Sequence, residues 1–210
     1  MIRAIIFDFD GVILDSVDIK TKAFARLFED HEPGVVRQVV AHHLANGGVS
    51  RFRKFAHIYE HILQCPMPDG ESERLGEKFS ELVFDEIVKA AFIPGASEFL
   101  RDYHTRFQCF VASGTPEDEL RSIVELRSLS AYFTGVFGTP STKEEIALRI
   151  VAAHSFMRDE VVFIGDAMTD YKAALATGLD FIGIASGGEN AFPVGTRVLP
   201  DLTRLATTLS

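Results

Sequence analysis

The sequence predicts an α/β protein: a parallel sheet with helices on both faces and a block of helices inserted behind the first strand. Three observations carry this. The chain opens on an apolar run, Ala4 to Phe7, ended by Asp8-Phe9-Asp10-Gly11, the pattern of a strand buried on both faces. From Phe92 onward, short apolar runs alternate with helical periodicity, and such alternation requires crossovers between parallel strands. Between these two regions, residues 15–90 carry helical periodicity and no strand signal. Residues 1–14 and 91–210 are therefore expected to form the core, and residues 15–90 an inserted cap.

The bulk properties fit one medium domain with an insertion. The chain has 210 residues, 47% hydrophobic and 24% charged, with a formal net charge of −9. That acidity argues against a broad nucleic-acid footprint, while a small anionic ligand needs only local cations. Cys65 and Cys109 give neither a disulfide framework nor a zinc spacing, which fits the reducing cytoplasm. The apolar start is too short for a signal peptide or a membrane span.

Taken in order, Ala4–Phe7 is the first strand, and a period of two places Asp8 and Asp10 on one face. Two like charges there call for a positive partner, and a hard divalent cation such as Mg²⁺ suits oxygen ligands. Gly11 permits a sharp turn. Ile19, Ala23, Phe24, Leu27 and Phe28 recur at helical spacing through Glu29, and Pro33-Gly34 breaks that helix. Val35–Leu44, Phe52–Leu63 and Ser72–Ala90 read as further helices, with a turn at 66–70. Pro94-Gly95 opens another, through Asp102. Strands are expected at Phe107–Ala112, Gly135–Phe137, Val161–Ile164, Phe181–Ile184 and near Arg197–Leu199. Helices are expected at Pro116–Arg127, Lys143–Ala153 and Tyr171–Ala176.

In open parallel sheets, ligands bind at the carboxyl ends of the strands. Ser113-Gly114-Thr115-Pro116 follows the strand from Phe107, and its hydroxyls and free amides at a helix start suit a phosphate oxygen; the same residues also suit a helix cap. Lys143 lies in the first turn of a helix, where the macrodipole disfavours a cation, so it is expected to face a negative partner. Gly165-Asp166-Ala167-Met168-Thr169-Asp170 places a second pair of acids after a second buried strand. Asp166 fits a cation's oxygen shell, and Asp170 fits a helix cap or a partner for Lys143.

The order of these signals along the whole chain resembles the haloacid dehalogenase-like phosphohydrolase superfamily, in the phosphoglycolate phosphatase and β-phosphoglucomutase branch, where helices are inserted after the first strand. The resemblance implies a Rossmann-like core and an Mg²⁺-dependent phosphatase acting on a small phosphorylated metabolite, such as a sugar phosphate or phosphoglycolate. It implies Asp8 as nucleophile, Asp10 as general acid and base, Ser113 and Gly114 as phosphate ligands, and Lys143 as the charge neutraliser. Mg²⁺ would be held by Asp8, the Asp10 carbonyl and Asp166, with Asp170 and Thr115 supporting. Asp10 argues against a dehalogenase, since a halide leaving group needs no proton. Gly165-Asp166 resembles a hydrolase more than a phosphomutase, whose late motif usually begins Glu-Asp. A sugar phosphomutase is the nearest rival. A non-catalytic phospholigand-binding module is more distant, because neither Asp8 nor Asp10 is lost.

Substrate choice is expected to lie with the cap. In Asn46-Gly47-Gly48-Val49-Ser50-Arg51-Phe52-Arg53-Lys54-Phe55, Arg51 and Lys54 lie three apart on one helical face and suit either an anionic substrate group or a solvated surface. His57 and His61 read as structural, and His42-His43 as surface. Ser186-Gly187-Gly188-Glu189-Asn190 suits a site rim or a plain loop.

Overall fold

The computed structural model describes residues 1–186 and 191–209. Its six-stranded sheet is wholly parallel: β1 (Ala4–Phe7), β2 (Gln108–Pro116), β3 (Gly135–Thr139), β4 (Val161–Gly165), β5 (Asp180–Ile184) and β6 (Val198–Leu199), in the order β3-β2-β1-β4-β5-β6. Strand β1 lies between β2 and β4, so the connections after it leave in opposite directions. The resulting crevice at the carboxyl ends of the strands is where such sheets bind ligands.

Alternation along each strand divides the core. Ile5, Phe7, Cys109, Val111, Val162 and Ile164 share one apolar cluster, whereas Ala4, Ile6, Phe110, Ala112, Val161 and Phe163 share the other. These strands are buried on both faces, which is why their sequences read as unbroken apolar runs.

The inserted block contains α1 (Val17–Leu27), α2 (Pro33–Ala45), α3 (Arg51–His57) and α4 (Glu71–Lys89). Phe24, Phe28, Phe55 and Phe79 are buried and join the first cluster. Fully burying one such side chain stabilises by about 1.5–3 kcal/mol, so the block packs as an extension of the core. Pro33 is the first residue of α2; the proline that ends one helix starts the next, because its missing N–H costs nothing there. The helix expected over 52–63 is instead α3 followed by one π-helical turn, Ile58–Ile62, closed by Leu63 N–H to Ile58 O at 2.8 Å.

The second half contains α5 (Ala96–Tyr103), α6 (Glu117–Leu126), α7 (Lys143–Ala153), α8 (Met168–Thr177) and a short α9 (Leu205–Thr208). The α9 turn has no counterpart in the sequence reading. Strand β2 runs past Ala112 to Pro116, with a register shift against β3 between those residues. An irregularity of this kind re-aims side chains at a sheet end. Among the described residues, no helix is long and apolar enough to cross a membrane.

Candidate active site

Asp8 follows β1 directly. Its Oδ1 accepts the Phe9 N–H at 2.7 Å, and its Oδ2 lies 2.7 Å from Lys143 Nζ. The strand stops at Phe7, so a period of two does not carry on through Asp10. Gly11, at φ +76°, turns the chain, and a Cβ there would collide with the Asp166 carboxylate. Asp8 and Asp10 nonetheless line one cavity of about 300 Å³.

Lys143 is the anomalous cation in the first turn of α7. It is buried, and its Nζ bonds Asp8 and also Asp170 Oδ1, the latter at 2.6 Å. Thr142 and Glu145 form a capping box that fixes this turn. Asp170 serves both roles considered for it: its second oxygen accepts the Ala167 N–H at 3.1 Å at the start of α8. Asp8, Asp166 and Asp170 present oxygens within 4.8 Å of one another.

The charges do not balance. Burial, opposed by Lys143 and reinforced by Asp170 and Asp10, raises the Asp8 carboxyl to about 7. Burial and the neighbouring Asp8 and Asp170 hold Asp166 well above the usual carboxylate range. Lys143 is pushed the other way: burial would lower it, but Asp170 and Asp8 hold it above an ordinary lysine. Two carboxyls held up by burial and mutual repulsion mark a site short of positive charge. An all-oxygen donor set of carboxylates suits Mg²⁺ rather than a thiophilic or imidazole-bound metal, so the residues present fit that ion.

Asp10 has different partners. Ser16 Oγ donates to its Oδ1 at 2.6 Å, Lys20 Nζ pairs with its Oδ2, and Thr115 Oγ1 lies 3.3 Å from that oxygen. Lys20 also donates to Thr115 Oγ1 at 2.8 Å. Burial alone would raise Asp10, but Lys20 and the Ser16 hydroxyl hold it below the ordinary aspartate value. Sequence reasoning missed Ser16 and Lys20. The available signal was their spacing of four at the start of α1, which puts both on one face.

Ser113 is buried, and its Oγ accepts the Thr115 N–H at 3.1 Å. It lines a second opening together with Lys143 and Gly114. The Gly47-Gly48 turn of the inserted block lies across this corner. Thr169 Oγ1 donates to Gly47 O at 2.7 Å, and a Cβ on Gly114 would strike Gly48 O. Gly48, at φ +73°, leaves no room for a side chain: a Cβ would sit 2.8 Å from Lys143 Nζ.

Arg51 and Lys54 also line the cavity, but both are buried rather than solvated. Arg51 is already matched. It pairs with Glu119 Oε1 at 2.5 Å, donates to Ser80 Oγ at 2.7 Å and lies 4.5 Å from the centre of the Phe79 ring. Lys54 Nζ lies 3.0 Å from His43 Nδ1. His43 is therefore buried, not at the surface, because its ring stacks on Phe24 at 4.4 Å. His57 stacks on His42 at 3.8 Å with an interplanar angle of 5° and meets His61 at 4.4 Å. Face-to-face rings do not converge nitrogens on a metal, and among the described residues the potential metal cluster is the acidic one. Of the loop after β5, residues 187–190 lie outside the described residues.

Comparison with known proteins gives the fold and the family. The family model for haloacid dehalogenase-like hydrolases matches residues 5–184. A phosphoglycolate phosphatase of Pseudomonas putida is 23% identical over 214 aligned residues, covering 97% of this chain and 78% of its own length. One of Vibrio vulnificus is 24% identical, covering 92% and 88%. Among solved structures, a hydrolase from Pseudomonas syringae superposes with a TM-score of 0.78 at 20% identity, covering 99% of this chain and 97% of its own. A predicted phosphoglycolate phosphatase from Haemophilus somnus superposes at 0.75 and 14% identity, covering 100% and 98%. Because the family model spans nearly the whole chain, from β1 to the end of β5, this protein belongs to the haloacid dehalogenase-like hydrolase family.

Proposed function

We propose that this protein is a phosphatase that hydrolyses a small-molecule phosphomonoester through an aspartyl-phosphate on Asp8. The observation that carries this reading is the buried Asp8 carboxylate, fixed by Lys143 and the Phe9 amide, with Asp10 held by Ser16 and Lys20 in the same cavity. Attack by Asp8 on a phosphate dianion is opposed by like charge, so neutralisation is the main requirement. Lys143 supplies one positive charge beside the nucleophile. Asp8, Asp166 and the Asp10 carbonyl would hold Mg²⁺, which when bound supplies the remaining charge compensation for the phosphoryl oxygens. Asp170 acts through Lys143, holding its ammonium toward Asp8.

Asp10 donates a proton to the leaving oxygen and later takes one from water. Lys20 and Ser16 orient its carboxyl, and Thr115 bridges Lys20 to it. Ser113 and the Gly114 amide receive the phosphoryl oxygens. Residues 15–90 act as a cap whose Gly47-Gly48 turn closes this corner against water; the Thr169–Gly47 bond and the close Gly48–Gly114 packing support that role. The similarity to phosphoglycolate phosphatases supports the reaction class.

The test is Asp8→Asn, which removes the nucleophile without changing size. Turnover of an aryl phosphate should fall at least 10⁴-fold, on the order expected when a covalent nucleophile is lost, with circular dichroism unchanged. Chelation by EDTA should stop the wild type and Mg²⁺ restore it. Retained turnover in Asp8→Asn would remove Asp8 from its role. Isomerised phosphosugar in place of released inorganic phosphate would make the enzyme a mutase.

A further inference from the structure

Among the described residues, three lysines and arginines are buried: Arg51, Lys54 and Lys143. Arg51 is paired with Glu119, and Lys143 with Asp8 and Asp170. Lys54 has no carboxylate partner among them. Among the described residues its Nζ hydrogen-bonds His43 alone, through the ring Nδ1 at 3.0 Å and the backbone carbonyl at 3.3 Å, and lies 5.4 Å from the centre of the Phe24 ring. Lys54 is 3% exposed and lines the cavity that holds Asp8. An ammonium has three donors, and His43 takes two. A buried cation without a counter-charge is costly, and Lys54 faces the cavity, where a bound anion would meet it.

We propose that Lys54 reads a carboxylate on the leaving group, so that the substrates are phosphorylated hydroxy acids rather than neutral phosphomonoesters. This rests on the phosphatase reading above. A single ammonium with one donor left matches a monoanion better than a second phosphate dianion, which would need more positive charge. His43, which lines the same cavity, holds the ammonium in place, and its ring is itself fixed by stacking on Phe24. Burial, together with Lys20 and Lys143 and against Asp10 and Asp166, lowers the Lys54 ammonium to about 7. A substrate carboxylate would restore its charge. The cavity, about 300 Å³ and walled by Phe24, Leu44 and Phe79, has room for acids longer than a two-carbon one.

The experiment compares matched pairs in the presence of Mg²⁺: phosphoglycolate, phosphoglycerate and phosphogluconate, each against its neutral counterpart, hydroxyethyl phosphate, glycerol phosphate or glucose phosphate. In the wild type, kcat/KM for the best acid should exceed that of its neutral partner by on the order of 100-fold, the scale set by an unpaired buried polar group. That ratio should collapse toward one in Lys54→Met and recover in part in Lys54→Arg. A wild type indifferent to the carboxylate, or a ratio unchanged in Lys54→Met, would overturn the proposal. Calorimetric binding of phosphonoacetate against ethylphosphonate reads the same preference without turnover. Selective binding with no hydrolysis of any ester would leave Lys54 in its role and remove the phosphatase reading. Hydrolysis without selectivity would do the reverse.

Discussion

Arg51 ties the inserted block to the core, and its removal can be worked through. The guanidinium spans from Ser80 on α4 to Glu119 on α6, with side chains 4% and 9% exposed at the ion pair. Ser80 Oγ also donates to Glu119 Oε2 at 2.5 Å. Arg51→Met leaves Glu119 buried with one hydroxyl in place of a cation. Breaking a buried pair from one side costs about 3–5 kcal/mol, and the Phe79 cation–π contact adds ~1 kcal/mol. For a domain of this size that is a fall of roughly 10–20 °C in melting temperature. Urea denaturation of Arg51→Met, Glu119→Leu and the double variant measures it. The double variant should recover most of the loss, since matched apolar residues often replace a buried pair without penalty. In kinetics, Arg51→Met should change KM for an aryl phosphate and for the best natural substrate in the same proportion, because its charge is already taken. Single variants costing under ~1 kcal/mol with no coupling would show the pair to be worth no more than a surface one. A KM effect confined to the natural substrate would make Arg51 a substrate ligand after all.

Further outcomes follow from the site's charges. Mg²⁺ at about 100 times its Kd should stabilise the wild type by ~2.7 kcal/mol, roughly 5–10 °C in a thermal scan, and Asp166→Asn should lose most of that shift; an equal shift in the variant would place the ion elsewhere. Lys54 releases its proton near pH 7 when folded and near its ordinary 10.5 when unfolded. Between those values the unfolded chain holds more protons, so stability should rise with pH across that window by an amount on the order of a few kcal/mol. Lys54→Met should flatten the rise, as measured by denaturant midpoints at several pH values; an unchanged slope would put its source in another group. Gly48→Ala should lower kcat/KM by roughly 100-fold, the scale of an ångström-sized misplacement, and should also cost stability, since φ +73° and the Lys143 ammonium leave no room for a Cβ. Wild-type kinetics would mean that the turn does not govern the site.

The apolar runs at 4–7, 107–112 and 161–164 were legible as strands because burial on both faces leaves no polar positions to blur the signal. The helical block was legible for a related reason: Phe24, Phe28, Phe79 and Val83 repeat at helical spacing. Strand β2 beyond Ala112 was not legible, since Ser113-Gly114 lacks strand composition and the pairing with β3 resumes only at Pro116, opposite Thr139. Asp8, Asp10 and Asp166 stood out in sequence as acids at the ends of apolar runs, Lys143 as a cation where the helix dipole disfavours one, and Asp170 only as the second of a pair with Asp166 after the same strand.

The one-dimensional pattern thus determined the parallel sheet, the insertion and the identity of the unusual charges, since each depends on local periodicity or local cost. The tertiary structure decided which charge meets which. It gave Lys20 to Asp10, Arg51 to Glu119 and His43 to Lys54, and left Lys54 without a counter-ion among the described residues. Partner choice between residues far apart in the chain is set by how α1, α3 and α4 pack over the ends of β1, β2 and β4, and no spacing along the sequence encodes that distance.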